Sequence, residues 1–387
     1  MSDDLKRDLA HAARHYASPE DALRRLERRR DRKRRHGRLG ALVVGLTVAA
    51  LSVWLVSSAL QTGHGPHPGS EPTPTAVSPS NGPLPNAPLL YAKKLPDGWN
   101  LFSFDPSTGQ ERRITTGVRD YSSDWSPDGT KIVYDSEHID SGTYDIVVAN
   151  ADGTHPTVLG PGQDPAWSPD GTRIAYVGGG GRIWVMNTDG SDAHPVTEGA
   201  ASGTGTGDDA AYDWHPAWSP DGRSIAYVRI AAHRRAPVPR GHYLVDVTLQ
   251  QVRVWHGGAT PTDTMLTDAY TGVGELDWSP DGSTIVFTGA PTLFYEPETD
   301  GLAWPRVLLI PSAGGEVTPI SPQEKAWAEG ATWSPDGAWI AYVEYVDNSH
   351  ALVVMRPDGT DRRTLPVDPG EGEIIGPSWG VAPPASP

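Results

Sequence analysis

One pentapeptide, Trp-Ser-Pro-Asp-Gly, occurs five times in this chain, starting at Trp125, Trp167, Trp218, Trp278 and Trp333. A degenerate sixth copy, Pro377-Ser-Trp379-Gly380, follows. The Trp-to-Trp intervals are 42, 51, 60, 55 and 46 residues, so the chain is an array of like units. Gly (43) and Pro (37) make up 80 of the 387 residues, which argues against a mainly helical fold. Fourteen Trp against four Phe fit a motif that reuses Trp.

Each motif reads as a turn followed by a strand. Pro presets φ at the second turn position, and Gly accepts the left-handed conformation that closes a hairpin. Three residues after each Gly comes an apolar strand, beginning at Ile132, Ile174, Ile225, Ile285 and Ile340. A third strand often ends in an Asp-Gly turn, as in Ile183–Gly190 and Leu352–Gly359. A short fourth strand such as His194–Thr197 completes a four-stranded unit of about 40–45 residues, the size of a β-propeller blade. Trp is large enough to wedge between neighbouring sheets.

The ends set the count. Leu89–Ala92, Trp99–Phe104 and Arg113–Thr115 supply three strands without a leading motif, and Trp379 supplies a leading strand with nothing after it. Joining them closes a ring of six blades over residues 89–382 and leaves no open edge. The expected fold is therefore all-β, a six-bladed propeller closed by its N- and C-terminal strands. Trp125, Trp167, Trp218, Trp278, Trp333 and Trp379 are the structural Trp of the repeat. These motifs resemble the TolB-type propeller repeat, a relative of the WD repeat, across residues 89–380. The chain departs from TolB in lacking a separate α/β domain before the propeller.

Ahead of the repeats, Leu39–Leu60 is a 22-residue stretch with no charged side chain, long enough to span a bilayer as one helix. Ten of the fifteen residues Arg24–Arg38 are Lys or Arg, which keeps the N-terminus cytoplasmic and the rest outside. The expected layout is a basic, helical cytoplasmic head (1–38), a single-pass anchor (39–60), a Pro-rich spacer (61–88) and an extracytoplasmic propeller. The layout, with 26 Arg against 6 Lys, is similar to that of actinobacterial membrane proteins.

The body beyond residue 60 carries 41 acidic and 19 basic residues, which excludes nucleic acid as the main partner. Zero Cys excludes a thiol nucleophile and a Cys-based zinc site. The only match to a serine-hydrolase elbow, Gly376-Pro377-Ser378-Trp379-Gly380, coincides with the sixth repeat, and no acid or His follows it. No catalytic residue is assigned.

Topology selects one face. The Ser-Pro-Asp-Gly and Asp-Gly turns share a face and are short. Spare length lies on the opposite face, in Gly199–Ala211, Ala231–Gly241, Ala290–Pro305 and Ser321–Gly330, where variable loops carry function. The innermost strands line the channel. Acids mark their entries at Asp120, Asp124, Asp164, Asp213, Glu275, Asp277 and Glu329, with His215 beside them. Asp124 and Asp277 share a motif position on opposite blades, a candidate Ca²⁺ pair; the others are candidate residues of a binding face. The reading is a non-catalytic scaffold or sensor that binds a protein, peptide or glycan and needs no cofactor. Its rivals are a transmembrane regulator coupled through residues 1–38 to a cytoplasmic partner such as a sigma factor, and a lyase or hydrolase using the acidic channel mouth.

Overall fold

The computed structural model describes residues 83–381 except 118, 199–211, 238–243, 268–269, 292–303, 323–325, 347–348 and 368–372, with backbone alone at 231–237, 244–249 and 291. Among these residues no helix is long and apolar enough to cross a membrane. The head, the Leu39–Leu60 span, the spacer up to residue 82 and most of the long loops lie outside the described residues.

The fold is an all-β propeller. Four antiparallel sheets have four strands each. One contains Trp125 (Asp120–Trp125, Lys131–Glu137, Tyr144–Asn150, Thr157–Pro161), and another contains Trp167 (Gln163–Trp167, Arg173–Gly178, Arg182–Asn187, His194–Pro195). A third contains Trp333 (Trp327–Trp333, Ile340–Val346, Ser349–Met355, Arg363–Thr364). The fourth joins the two ends of the propeller, ordering Ile374–Trp379, Leu89–Leu95, Gly98–Asp105 and Gln110–Arg113. Leu89 pairs with Trp379 in register there, so the expected closure forms.

The expectation of six separate four-stranded blades is corrected. The strands carrying Trp218 and Trp278 belong to a single nine-stranded sheet. The cause is the length of the hairpin Ser224–Pro237 and Leu244–His256, with strands of 14 and 13 residues. Ala231–Pro237, expected as loop, continues the strand. The hairpin reaches far enough for Gln250 to pair with Tyr270, and Tyr270–Thr271 pairs onward with Ala290–Pro291. Within that sheet two four-strand paths persist. Asp213–Trp218, Ser224–Pro237, Leu244–His256 and Thr262–Met265 form one, and Leu276–Trp278, Thr284–Pro291, Arg306–Pro311 and Thr318–Pro319 form the other.

Alternation along each strand feeds two cores. Ile132 packs with Leu90, Leu101 and Trp125, whereas its neighbour Val133 packs with Trp167, Ile174 and Met186. Six buried clusters result, and each holds one motif Trp. All six Trp are 7–8% exposed, consistent with the wedge role.

The motif's polar residues build its turn. Ser168 Oγ donates to Asp170 Oδ1 (2.6 Å) and accepts the N–H of Arg173 (2.9 Å), and Asp170 accepts the N–H of Thr172 (3.0 Å). The same box recurs at Ser126, Ser219, Ser279 and Ser334. The turns also touch around the ring. A Cβ placed on Gly171 would sit 3.3 Å from Pro127 Cγ, on Gly222 3.4 Å from Pro169, and on Gly337 3.5 Å from Pro280. Where the sixth copy lacks the motif Pro, Val381 lies 3.0 Å from the corresponding point on Gly129. With a Cβ on Gly282 3.8 Å from Pro220, a motif Pro packs on the next unit's Gly at four seams.

Candidate functional site

The innermost strands enclose a cavity of about 210 Å³. Its wall repeats two positions of each unit, one and three residues before the motif Trp. The nearer position contributes Asp124, Ala166, Ala217, Asp277, Thr332 and Ser378. The farther contributes Ser122, Asp164, His215, Glu275 and Gly376. At the farther position the strand register slips, and Asp164, His215, Gly330 and Gly376 have φ of 49°, 51°, 58° and 59°. Such bulges re-aim a side chain, and Asp and His tolerate the left-handed region better than most residues.

Asp124 and Asp277 latch neighbouring sheets. Asp124 Oδ1 accepts from its neighbour's N–H at Trp125 (2.9 Å) and from Ser378 Oγ (3.0 Å), and Oδ2 accepts the N–H of Trp167 (2.8 Å). Asp277 accepts the N–H groups of Trp278 and Trp333 (both 2.8 Å) and Thr332 Oγ1 (3.0 Å). Burial pushes Asp124 up to about 6. Burial, with the charge of Asp124 adding, pushes Asp277 up to about 7. Among the described residues no group of three or more His, Asp or Glu is placed to hold a metal ion.

A second cluster lies at the bulges. His215 Nδ1 is 3.3 Å from Asp164 Oδ2, and Ser122 Oγ donates to Asp164 Oδ1 at 2.8 Å. Burial opposes a charged imidazole, but Asp164, Glu275 and Glu329 together outweigh it and raise the His215 pKa. Glu329 is pushed up to about 7, by burial first and then by Glu275. Glu275 Oε2 is buried without a hydrogen-bond partner.

Of the residues expected at the face, Asp120, Asp213 and Glu329 lie outside the cavity lining. Buried Asp120 accepts from Ser136 Oγ (2.8 Å). Asp213 accepts Arg229 Nε (2.6 Å) and Thr197 Oγ1 (2.6 Å). These pairs join an inner strand to its neighbours and stiffen the sheet. One residue was overlooked. Asp135 is 2% exposed, its Oδ2 accepts the N–H of Asp164 (2.8 Å), and burial, then the charge of Asp164, raise its pKa well above the carboxylate range. The signal was present: Asp135 occupies the place of Val177, Val228, Thr288 and Val343 in the other repeats.

The loop-bearing face differs from the opposite one in exposure. Among the described residues six large apolar side chains are exposed. Ile139, Tyr212, Trp327 and Val346 lie on this face, at hairpin tips or at the starts of inner strands. Val158 and Met265 lie on outermost strands. Val158, at the start of its strand beside the Asp-Gly turn of Gly190, lies toward the Ser-Pro-Asp-Gly face.

An all-β ring of antiparallel sheets around a polar channel, with one loop-bearing face, defines a β-propeller. TolB from Acinetobacter baumannii is similar in structure (TM-score 0.55, 20% identity over 76% of this chain), and the match covers 66% of that protein's length. A chain of a nidogen/laminin complex is similar at TM-score 0.54 and 13% identity, over 76% of this chain and 99% of the other. A putative TolB from Agrobacterium tumefaciens matches at TM-score 0.49 and 20% identity, over 72% of this chain and 88% of that one. No protein-family model and no curated protein matches the sequence.

Proposed function

We propose that the chain is a membrane-anchored, extracytoplasmic propeller of six blades that binds a protein, peptide or glycan through its loop-bearing face, without catalysis. The six-blade count is supported by the six buried clusters, each with its motif Trp, and by the two four-strand paths inside the nine-stranded sheet. The anchor is supported by the uncharged 22-residue stretch and its Arg-rich flank.

One observation carries the binding reading. Four of the six exposed large apolar side chains among the described residues, including both aromatic ones, Tyr212 and Trp327, sit on the face where the loops are long, and aromatic side chains dominate binding hot spots. The opposite face carries Pro–Gly packing at four seams. Photo-crosslinking in cells tests the reading, with a diazirine amino acid at Tyr212 or Trp327 and, on the opposite face, at Pro220 or Pro280. Adducts are expected from the first pair alone; adducts from the second pair alone, or from neither, refute it.

A second reading, an enzyme acting in the channel, is favoured by one feature. His215 and Asp164 form a close acid–base pair beside Glu329, which is held at about 7. Loss of turnover in His215→Gln on any substrate found for the chain would support it.

A further inference from the structure

We propose that the cleft between Trp99, Tyr121 and Ile139, on the loop-bearing face, is a binding site for a neutral saccharide. This deepens the reading of that face as the binding face and rests on it.

The cleft follows from unequal hairpins. Leu89–Leu95 and Gly98–Asp105 are joined by the two residues Pro96 and Asp97, with Leu95 paired to Gly98. The neighbouring hairpin needs the six residues 138–143. The step between the short hairpin and the tall one leaves a hollow of about 500 Å³ lined by Lys94, Asp97, Trp99, Arg119, Tyr121 and Ile139. Backbone fixes its walls: Trp99 bridges Arg119, Arg119 C=O accepts the N–H of Glu137 (2.9 Å), and Lys94 N–H donates to Glu373 C=O (3.1 Å).

Its lining selects the ligand class. Trp99 and Tyr121 line the cleft with ring centroids 5.7 Å apart and planes tilted by 43°, Lys94 Nζ lies 6.0 Å from the Trp99 centroid, and Tyr144 backs Tyr121 from outside the cleft at 6.0 Å. Aromatic faces are platforms for the C–H faces of pyranose rings, and Ile139, 58% exposed, extends the apolar floor. Polar groups ring the platform. Arg119 gives one Nη to Glu137 (2.7 Å) and Lys94 one N–H to Glu373 (2.7 Å), and both side chains are about 40% exposed. Asp97 Oδ2 meets Arg113 (3.0 Å) with the carboxylate 60% exposed. Donors and acceptors at the rim of an aromatic floor match the alternating hydroxyls of a sugar.

Two alternatives fit less well. An extended peptide would use a free strand edge, and the hairpin backbone at the cleft is already paired. An anionic glycan would need surplus positive charge, whereas Lys94, Arg119 and Arg113 each face a carboxylate.

The test is saturation-transfer NMR and calorimetry on the full chain in detergent, with cellotetraose, chitotetraose, maltotetraose and a proline-rich decapeptide as probes. At least one tetrasaccharide is expected to bind, with Trp99→Ala and Tyr121→Ala each weakening it about tenfold and Tyr121→Phe restoring it. Melting curves of the variants exclude unfolding as the cause. No binding by any sugar, affinity unchanged in a folded Trp99→Ala, or binding by the decapeptide alone would overturn the proposal. Crosslinks at Tyr212 and Trp327 report on the binding face independently of this outcome.

Discussion

Asp277 reaches across the sheet boundary to accept the backbone N–H of Trp333 at 2.8 Å, and Asp124 does the same for Trp167 at the same distance. The two carboxylates therefore tie the wedge Trp of one unit to the inner strand of the unit before it. Their equivalent positions in other repeats hold Ala166, Ala217, Thr332 and Ser378, so this latch is used at two seams.

Asp277→Ala should leave two buried N–H groups, those of Trp278 and Trp333, without an acceptor. An orphaned buried donor costs about 1–3 kcal/mol, and thermal unfolding of the variant should show a loss on that scale. Ala217→Ser, at an equivalent wall position with no latch, should change stability little.

The pH dependence of stability should run against ordinary acid denaturation. Asp124, Asp277 and Glu329 have folded pKa values of about 6, 7 and 7, above their ordinary 3.8–4.5, and His215 is raised too. Each binds protons more tightly when folded, so the stabilisation from the three carboxyls is complete below their ordinary values and is lost as pH rises through 6 to 7, while that from His215 persists up to its ordinary value and is lost above it. Asp170 and Asp281, held at about 2 by the motif's hydrogen bonds, act oppositely and lose theirs as pH falls from about 4 to 2. Melting temperature should peak at mildly acidic pH, near 4–5, and decline toward neutrality. Asp277→Asn should flatten that decline.

The Pro–Gly packing predicts unequal costs for two glycines of the same backbone geometry. Gly171 (φ +71°) faces Pro127, whereas Gly109 (φ +72°) has nothing within 4 Å of a built Cβ. Each Gly→Ala change meets the left-handed penalty of about 1–2 kcal/mol. Gly171→Ala should melt measurably lower than Gly109→Ala, by the added contact with the Pro ring.

Ring closure rests on Leu89 pairing with Trp379. Trp379→Ala removes a wedge 7% exposed, and such a loss costs about 3–5 kcal/mol. Deleting the chain from Ile374 onward should bare the hydrogen-bonding edge of Leu89–Leu95 and promote aggregation. An unchanged melting curve for either form would contradict a closed ring.

Much of this architecture was legible because the repeat is local. Ser-Pro-Asp-Gly determines its own turn, the strand after it alternates Ile and Tyr, and the ends could be joined by counting. What was not legible is non-local. The merging of two units depends on how far the hairpin Ser224–His256 extends beyond its sheet, and nothing in its residues marks that reach. In the channel, Asp124, Asp164, His215, Glu275 and Asp277 were readable as inner-strand residues, and they do meet in one cavity. Asp120 and Asp213 do not join that cavity, because they pair with Ser136 and Arg229 on the adjacent strand. The cleft at Trp99 was missed because it arises from the height difference of two hairpins.

The claim that the loop-bearing face is the working surface is tested most directly by affinity. The molecule crosslinked from Tyr212 or Trp327 can be titrated against the full chain, against Tyr212→Ser combined with Trp327→Ser, and against Pro220→Ser combined with Pro280→Ser. The account predicts that the first double variant loses at least about tenfold in affinity, equivalent to roughly 1.4 kcal/mol, while the second binds like the parent chain. Equal losses in both, or a loss confined to the Pro variant, would contradict it.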